Sequence, residues 1–247
     1  MKDNQWWNVS WNPVVGCSPA GVGCASCWAA KMASRLARMS ATQDLYRSVT
    51  AGGAWNGATS AAGPDVWGKP RSWKKPRKVF VCSMGDLFHE TVKNSTIDNV
   101  DRVMRECSQH TFLVLTKRFK RMRDYTRREP FPSNVWCGMS ASTHHEYELA
   151  SEMLPGTAAR VRWLSIEPLV SAVELNRHDC LDWVVVGAES GPHRRPCNTE
   201  WVRDIVHQCK RAGVACFVKQ LDIGGKLVKD PALFPEDLRV REYPSAR

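Results

Sequence analysis

The sequence predicts a parallel α/β fold, a partial TIM-like (β/α)6–7 barrel, and three observations carry that expectation. Short apolar runs recur from residue 78 onward, among them Val79-Phe80-Val81, Phe112-Leu113-Val114-Leu115 and Trp183-Val184-Val185-Val186. Nearly continuous runs of this kind suit strands covered on both faces. Helical patterns separate them, and repeated β–α alternation implies a parallel sheet with right-handed crossovers. Polar residues also gather at the carboxyl ends of the runs, where β/α folds build their sites.

Taken in order, a first strand near Trp6–Trp11 precedes a cysteine-bearing loop, and Trp28–Met39 reads as the first helix. Further strands are expected at Lys78–Ser83, Thr111–Thr116, Asn134–Ser140, Val161–Ile166, Asp182–Val186 and Ala215–Lys219. Between them, Ile97–Cys107 places Ile97, Val100, Val103, Met104 and Cys107 on one helical face. His145–Leu154 and Trp201–Lys210 show similar spacing, the latter opened by the capping segment Asn198-Thr199-Glu200. About seven β units suit a partial barrel better than a closed eight-stranded one, with an open doubly wound sheet as the alternative. Residues 40–77 break the rhythm with a Gly-, Ala- and Ser-rich stretch carrying Trp55, Trp67 and Trp73. They read as an insertion, a lid or substrate arm. The expected organisation is one domain over 1–222 with that insertion, followed by a loose extension over 223–247.

Composition narrows the class. An apolar share of 43% and a charged share of 24% are those of an ordinary globular protein. No apolar run approaches the roughly 18 residues of a membrane span, and the start Met1-Lys2-Asp3-Asn4-Gln5-Trp6-Trp7 has no signal-peptide core. A cytoplasmic protein without membrane partners is the expectation. The net charge of +10, from 35 Lys and Arg against 25 Asp and Glu, suits a phosphate-bearing partner and a solvated surface equally. Ten cysteines in a chain of this size do not read as a disulfide framework. Cys82, Cys137 and Cys216 sit in or beside apolar runs, as small buried hydrophobes do.

Cys17, Cys24 and Cys27 are different. Six residues separate the first two and two separate the others, with Pro19, Gly21 and Gly23 in the longer gap. A two-residue gap lets neighbouring thiolates share a metal centre, and a flexible loop returns a third. Structural zinc wants four ligands, and no second CxxC or HxxxH is present to supply the fourth, although His89, His144 or His193 would complete a Cys3His set. Three thiolates on a [4Fe-4S] cluster leave one iron open to a ligand. Polar strand ends supply the surroundings: Ser83-Met84-Gly85-Asp86, Thr116-Lys117-Arg118, Gly138-Met139-Ser140, Ser165-Ile166-Glu167-Pro168, Gly187-Ala188-Glu189-Ser190-Gly191 and Lys219-Gln220. Burying so many charges for stability alone is costly, so a shared site is expected there.

These blocks, together with Trp11-Asn12-Pro13, Gly16-Cys17 and Gly23-Cys24-Ala25-Ser26-Cys27-Trp28-Ala29, carry a resemblance. Over about residues 5–221 the chain resembles phage and bacterial radical-SAM-like proteins with a widened three-cysteine motif, distant relatives of spore photoproduct lyase. The usual loop of that superfamily has three residues between its first two cysteines, and its Gly-Gly-Glu after strand two is here Met84-Gly85-Asp86. The resemblance implies a radical-SAM type of barrel, a [4Fe-4S] cluster on Cys17, Cys24 and Cys27, and S-adenosylmethionine (SAM) chelated at the open iron. It implies reductive cleavage of SAM to a 5′-deoxyadenosyl radical, with electrons from a flavodoxin- or ferredoxin-type donor. By position, Ser83, Gly85 and Asp86 suit the SAM amino group, Thr116 and Lys117 its carboxylate, and Ser140, Glu167 and Glu189 its ribose or adenine. Strand-end capping and structural ion pairing, with Lys117 or Lys219 as partner of the glutamates, are the competing roles.

Basic residues beside aromatic ones suit phosphate tracking with base stacking. Arg71, Lys74, Lys75 and Arg77 flank Trp73, Arg118 and Arg121 flank Phe119, and Arg194 and Arg195 follow the sixth strand. With the likeness to a photoproduct lyase they imply a DNA or nucleotide substrate, for base modification or repair, the base being flipped out or single-stranded. A solvated helix face explains Lys120–Arg128 nearly as well. Cys82 and Cys137, at strand ends, are candidate hydrogen donors to a product radical. The alternatives are a zinc-stabilised nucleic-acid-binding module without catalysis, and an enzyme acting on a peptide or small metabolite.

Overall fold

The computed structural model describes residues 5–191 and 193–245, so the polar start Met1–Asn4 lies outside the described residues. Seven strands fall where the apolar runs predict: β1 Val9–Trp11, β2 Lys78–Val81, β3 Thr111–Thr116, β4 Val135–Ser140, β5 Val161–Ile166, β6 Trp183–Gly187 and β7 Ala215–Ile223. They pair in chain order, each parallel to the next. An eighth, β8 Lys226–Val228, adds to the end of β7 in antiparallel fashion. The main helices are α1 Trp28–Leu36, α2 Asn94–Glu106, α3 Phe119–Arg128, α4 His144–Met153 and α5 Thr199–Ala212. Helix α3 takes up the basic stretch as an amphipathic helix, burying Met122, Tyr125 and Thr126. At the start of α5 the Asn198 side chain accepts from Glu200 N at 3.0 Å, the capping contact expected there.

Successive strand residues face opposite ways, and here both faces are apolar. Val79 and Val81, Phe112 and Val114, Cys137 and Met139, Leu164 and Ile166 face the helices in one core. Leu113, Trp163, Trp183, Val185 and Phe217 form a second core with Trp6. The Trp6 ring lies 4.8 Å from Phe80 on β2, 4.9 Å from Trp163 on β5 and 5.9 Å from Trp183 on β6. In a flat sheet β2 and β6 stand about 19 Å apart, four strand spacings. The sheet therefore curves around Trp6. Gly138 on β4 leaves room for that core, since a Cβ there would lie 2.2 Å from the Trp163 ring.

The insertion is packed rather than free. Trp11 Nε1 donates to Val66 O at 2.8 Å, Val14 and Val15 pair with Ala61 and Ser60, and Val66, Trp67 and Trp73 lie against the outer core. The segment after Ile223 also corrects expectation, since it is no loose appendage. Val218 N donates to Val240 O at 2.9 Å and Glu242 N to Cys216 O at 2.8 Å, while Phe234 and Leu238 are buried. It covers an edge of β7 that would otherwise present unpaired backbone groups. No helix among the described residues is long and apolar enough to cross a membrane.

Candidate functional site

Parallel strands end on one side of the sheet, and the loops beyond them enclose a cavity of about 430 Å³. Cys17, Cys24 and Cys27 all line it as half-buried free thiols. Their loop is pinned from three directions. At its start, Gly16 sits at φ +94° and pairs with Gly85, and a Cβ on Gly85 would lie 2.9 Å from Gly16 O. Two glycines are needed for that approach. Next to Cys17, Ser18 Oγ bonds His89 Nε2 at 2.8 Å and accepts from Arg118 Nη2 at 2.8 Å. Arg118 is itself paired with Glu90 at 2.8 Å. Around Cys24, Glu146 accepts from Val22 N at 2.6 Å, Arg195 Nη1 donates to Val22 O at 3.1 Å, and Ala20 N donates to Cys24 Sγ at 3.5 Å. Cys27 is the N-cap of α1. Burial, the Asp86 charge and Cys24 push the Cys17 thiol up to about 12, against the opposing pull of Arg118.

The remaining walls come from the strand ends. Asp86 is buried, its Oδ1 accepting from Thr116 Oγ1 at 2.7 Å and Phe88 N at 2.9 Å, its Oδ2 from Lys117 N at 3.1 Å. Ser83 Oγ donates to Asn12 Oδ1 at 3.2 Å. Lys117 Nζ reaches Ser140 Oγ at 2.5 Å. Glu167 pairs with Lys219 Nζ at 2.7 Å and accepts from Trp6 Nε1 at 3.1 Å and Ser165 Oγ at 3.2 Å. Glu189 is held by Arg195 through Nη2 at 2.5 Å and Nε at 3.1 Å. The two glutamates thus take the structural ion pairs that the sequence leaves open, with Arg195 in place of a lysine for Glu189. Of the aromatic walls, Trp6, Trp7 and Trp28 have no site role in the sequence expectations, while Trp55 belongs to the stretch read as a lid or substrate arm. Their sequence signal is an excess of tryptophan, 11 in the chain, four of them among the first 28 residues.

A family model with the description "Protein of unknown function (DUF5131)" matches residues 2–230, a span that includes every residue lining the cavity. The chain belongs to the DUF5131 family. No curated protein and no solved structure matches it.

Cys17, Cys24, Cys27, Cys82, Ser83, Gly85, Asp86, Thr116, Lys117, Ser140, Glu167 and Glu189 are therefore brought together as expected. Cys137 is not. It lies on the helix-facing side of β4, fully buried, because Trp136, Gly138 and Ser140 occupy the opposite parity. Cys82 keeps a place on the wall at φ +57°, with burial pushing its thiol up to about 12.

The expected nucleic-acid rim also needs correction. Arg118 and Arg195 are spent on the cysteine loop, and Arg121 donates to the carbonyls of His89 and Val92. Arg194 donates to Gly225 O. Arg71 pairs with Glu106 at 2.6 Å, and Arg77 lies 5.5 Å over the Trp73 ring. Lys74 and Lys75 are exposed but precede β2, at the end of the sheet opposite the cavity.

Among the described residues no three His, Cys, Asp or Glu side chains converge as ligands of one metal ion do. Three half-buried free thiols on one wall of the cavity are the donor type that an iron–sulfur cluster takes.

Proposed function

We propose that this chain is a radical-SAM-type iron–sulfur enzyme on a partial (β/α) barrel, acting on a nucleic-acid base. One observation carries the reading. Three thiols from the loop after β1 and polar groups from the ends of β2 to β7 face one cavity on the carboxyl side of a parallel sheet. Its volume is within the range of small-molecule sites, roughly 300–1,000 Å³.

Cys17, Cys24 and Cys27 would hold a [4Fe-4S] cluster. When bound with SAM, that group supplies the one-electron cleavage that makes a 5′-deoxyadenosyl radical. The chain's own residues arrange the surroundings. Lys117 presents a cation for a carboxylate, and its backbone is fixed by Asp86. Ser83 and Asp86 present oxygens toward the same wall for an ammonium group. Glu167, locked between Lys219 and Trp6, fixes one end of the floor, while the aromatic core beneath keeps water out of the barrel. Glu189 has a partner on the chain already, so its part is to hold Arg195 against the cysteine loop.

The test is anaerobic reconstitution with iron and sulfide, followed by SAM and dithionite, with 5′-deoxyadenosine as the product measured. The expected protein is brown, with about four irons per chain, and forms deoxyadenosine. Fully clustered protein that forms none refutes the enzymatic reading. Colourless protein with one zinc favours the binding module instead.

A further inference from the structure

Loss of the predicted basic rim leaves the question of where a polyanion would meet the cavity. Helix α1 supplies the answer. It buries Ala29, Ala30 and Ala33 and turns Trp28, Lys31, Met32, Arg35, Arg38 and Met39 outward, the last two just past its end. At 100° per residue these six fall within an arc of about 120°. Trp28 is 44% exposed, Met32 37% and Met39 55%. Among the described residues Lys31, Arg35 and Arg38 make no side-chain hydrogen bond or ion pair, unlike Arg118, Arg121 and Arg195. Lys31 faces the Glu189–Arg195 pair across Gly191, and Arg47 Nε donates to Ala37 O at the far end. No Asp or Glu occurs between Asp3 and Asp44. The charges that the helix itself carries on this face are therefore all positive.

Two features select the occupant. The strip is one helix wide and about 10 Å long from Lys31 to Arg38, too narrow for the roughly 800 Å² per partner of a stable protein interface. It also begins at Trp28, which lines the cavity and is exposed at its lip. An exposed indole beside spaced cations is what a single strand uses, base on ring and phosphates on charges. We propose that the outer face of α1 is the track of a single-stranded nucleic acid. Lys31, Arg35 and Arg38 take its phosphates and Trp28 stacks one base, leaving the adjacent nucleotide to enter the cavity. This deepens the preceding proposal and rests on it for the chemistry, but its test is binding alone.

The full chain is titrated into a fluorescein-labelled, mixed-sequence single-stranded DNA oligonucleotide, and anisotropy is followed over a range of salt. Each phosphate contact to a single strand contributes about 0.7 to the slope of log K against log salt. K31Q/R35Q/R38Q should lower that slope by about 2 and weaken binding about a hundredfold near 0.1 M salt. W28A should weaken binding about tenfold while leaving the slope unchanged. K74Q/K75Q should bind as the parent does. Melting followed by circular dichroism shows that these surface variants are folded. Unchanged binding by the triple variant, or no binding by the parent chain at low salt, overturns the proposal. So does loss, in the triple variant, of binding to an acidic redox protein while oligonucleotide binding stays the same. Lys31, Arg35 and Arg38 do not line the cavity, so deoxyadenosine formation without substrate by the triple variant separates failure of the radical chemistry from failure of the track.

Discussion

Removing the guanidinium of Arg195 should destabilise the fold and loosen the cysteine loop at once. Glu189 is 4% exposed and its oxygens take two side-chain bonds from Arg195, which is 31% exposed, plus the Arg195 backbone N–H at 2.8 Å. R195M keeps only the last. Each lost bond to a charged group costs about 1.5–3 kcal/mol. Discounted for the partial exposure of Arg195, the sum is about 3 kcal/mol, near the low end for breaking a buried pair. Urea midpoints at constant slope measure it. Burial pushes the Glu189 carboxyl up, but the Arg195 bonds outweigh it and hold the group below its usual value of 4.5. In the parent chain this stabilisation is complete above about pH 4.5 and is lost as pH falls through the lowered folded value. In R195M only the backbone N–H and the Lys31 charge still oppose burial, so the penalty is largest at neutral pH and is relieved when Glu189 protonates. The gap between the two proteins should therefore shrink from pH 7 to pH 4. A double-mutant cycle with E189Q should give a coupling of about 2 kcal/mol or more. A coupling near zero, or a gap that widens in acid, refutes the reasoning.

Iron retained after anaerobic reconstitution should collapse in C17A, C24A and C27A. C137A should keep it and lose only about 1 kcal/mol of stability, because that thiol faces the helices. G138A forces a methyl into the Trp163 ring, and about 3 kcal/mol of destabilisation with altered tryptophan emission is expected in urea titrations. In metal-free protein, iodoacetamide should modify Cys17 slowly at pH 8, its thiol standing near 12. R118M removes the cation that pulls the Cys17 thiol down and should slow that modification further, as peptide mass mapping over time would show.

Much of the frame was readable from local pattern. Apolar runs alternating with helical stretches suffice to place seven parallel strands, since one-handed crossovers leave chain order as the simplest pairing. Once the strands are parallel their carboxyl ends must share a side, and so Asp86, Lys117, Glu167 and Glu189 meet without any knowledge of distance. The outward direction of Cys137 was also readable, because Trp136, Gly138 and Ser140 take the other parity. Expecting a hydrogen donor there ignored the pleat.

What the chain's own order of residues determined is the parallel architecture, the cysteine loop and the set of polar strand ends, all consequences of short-range periodicity. Tertiary structure alone decided which charges are already spoken for. Arg118 meets Ser18 from 100 positions away and Trp6 meets Glu167 from 161, distances over which sequence carries no geometric information. The same long-range packing curves the sheet around Trp6, leaving α1 as the cationic face at the cavity's edge.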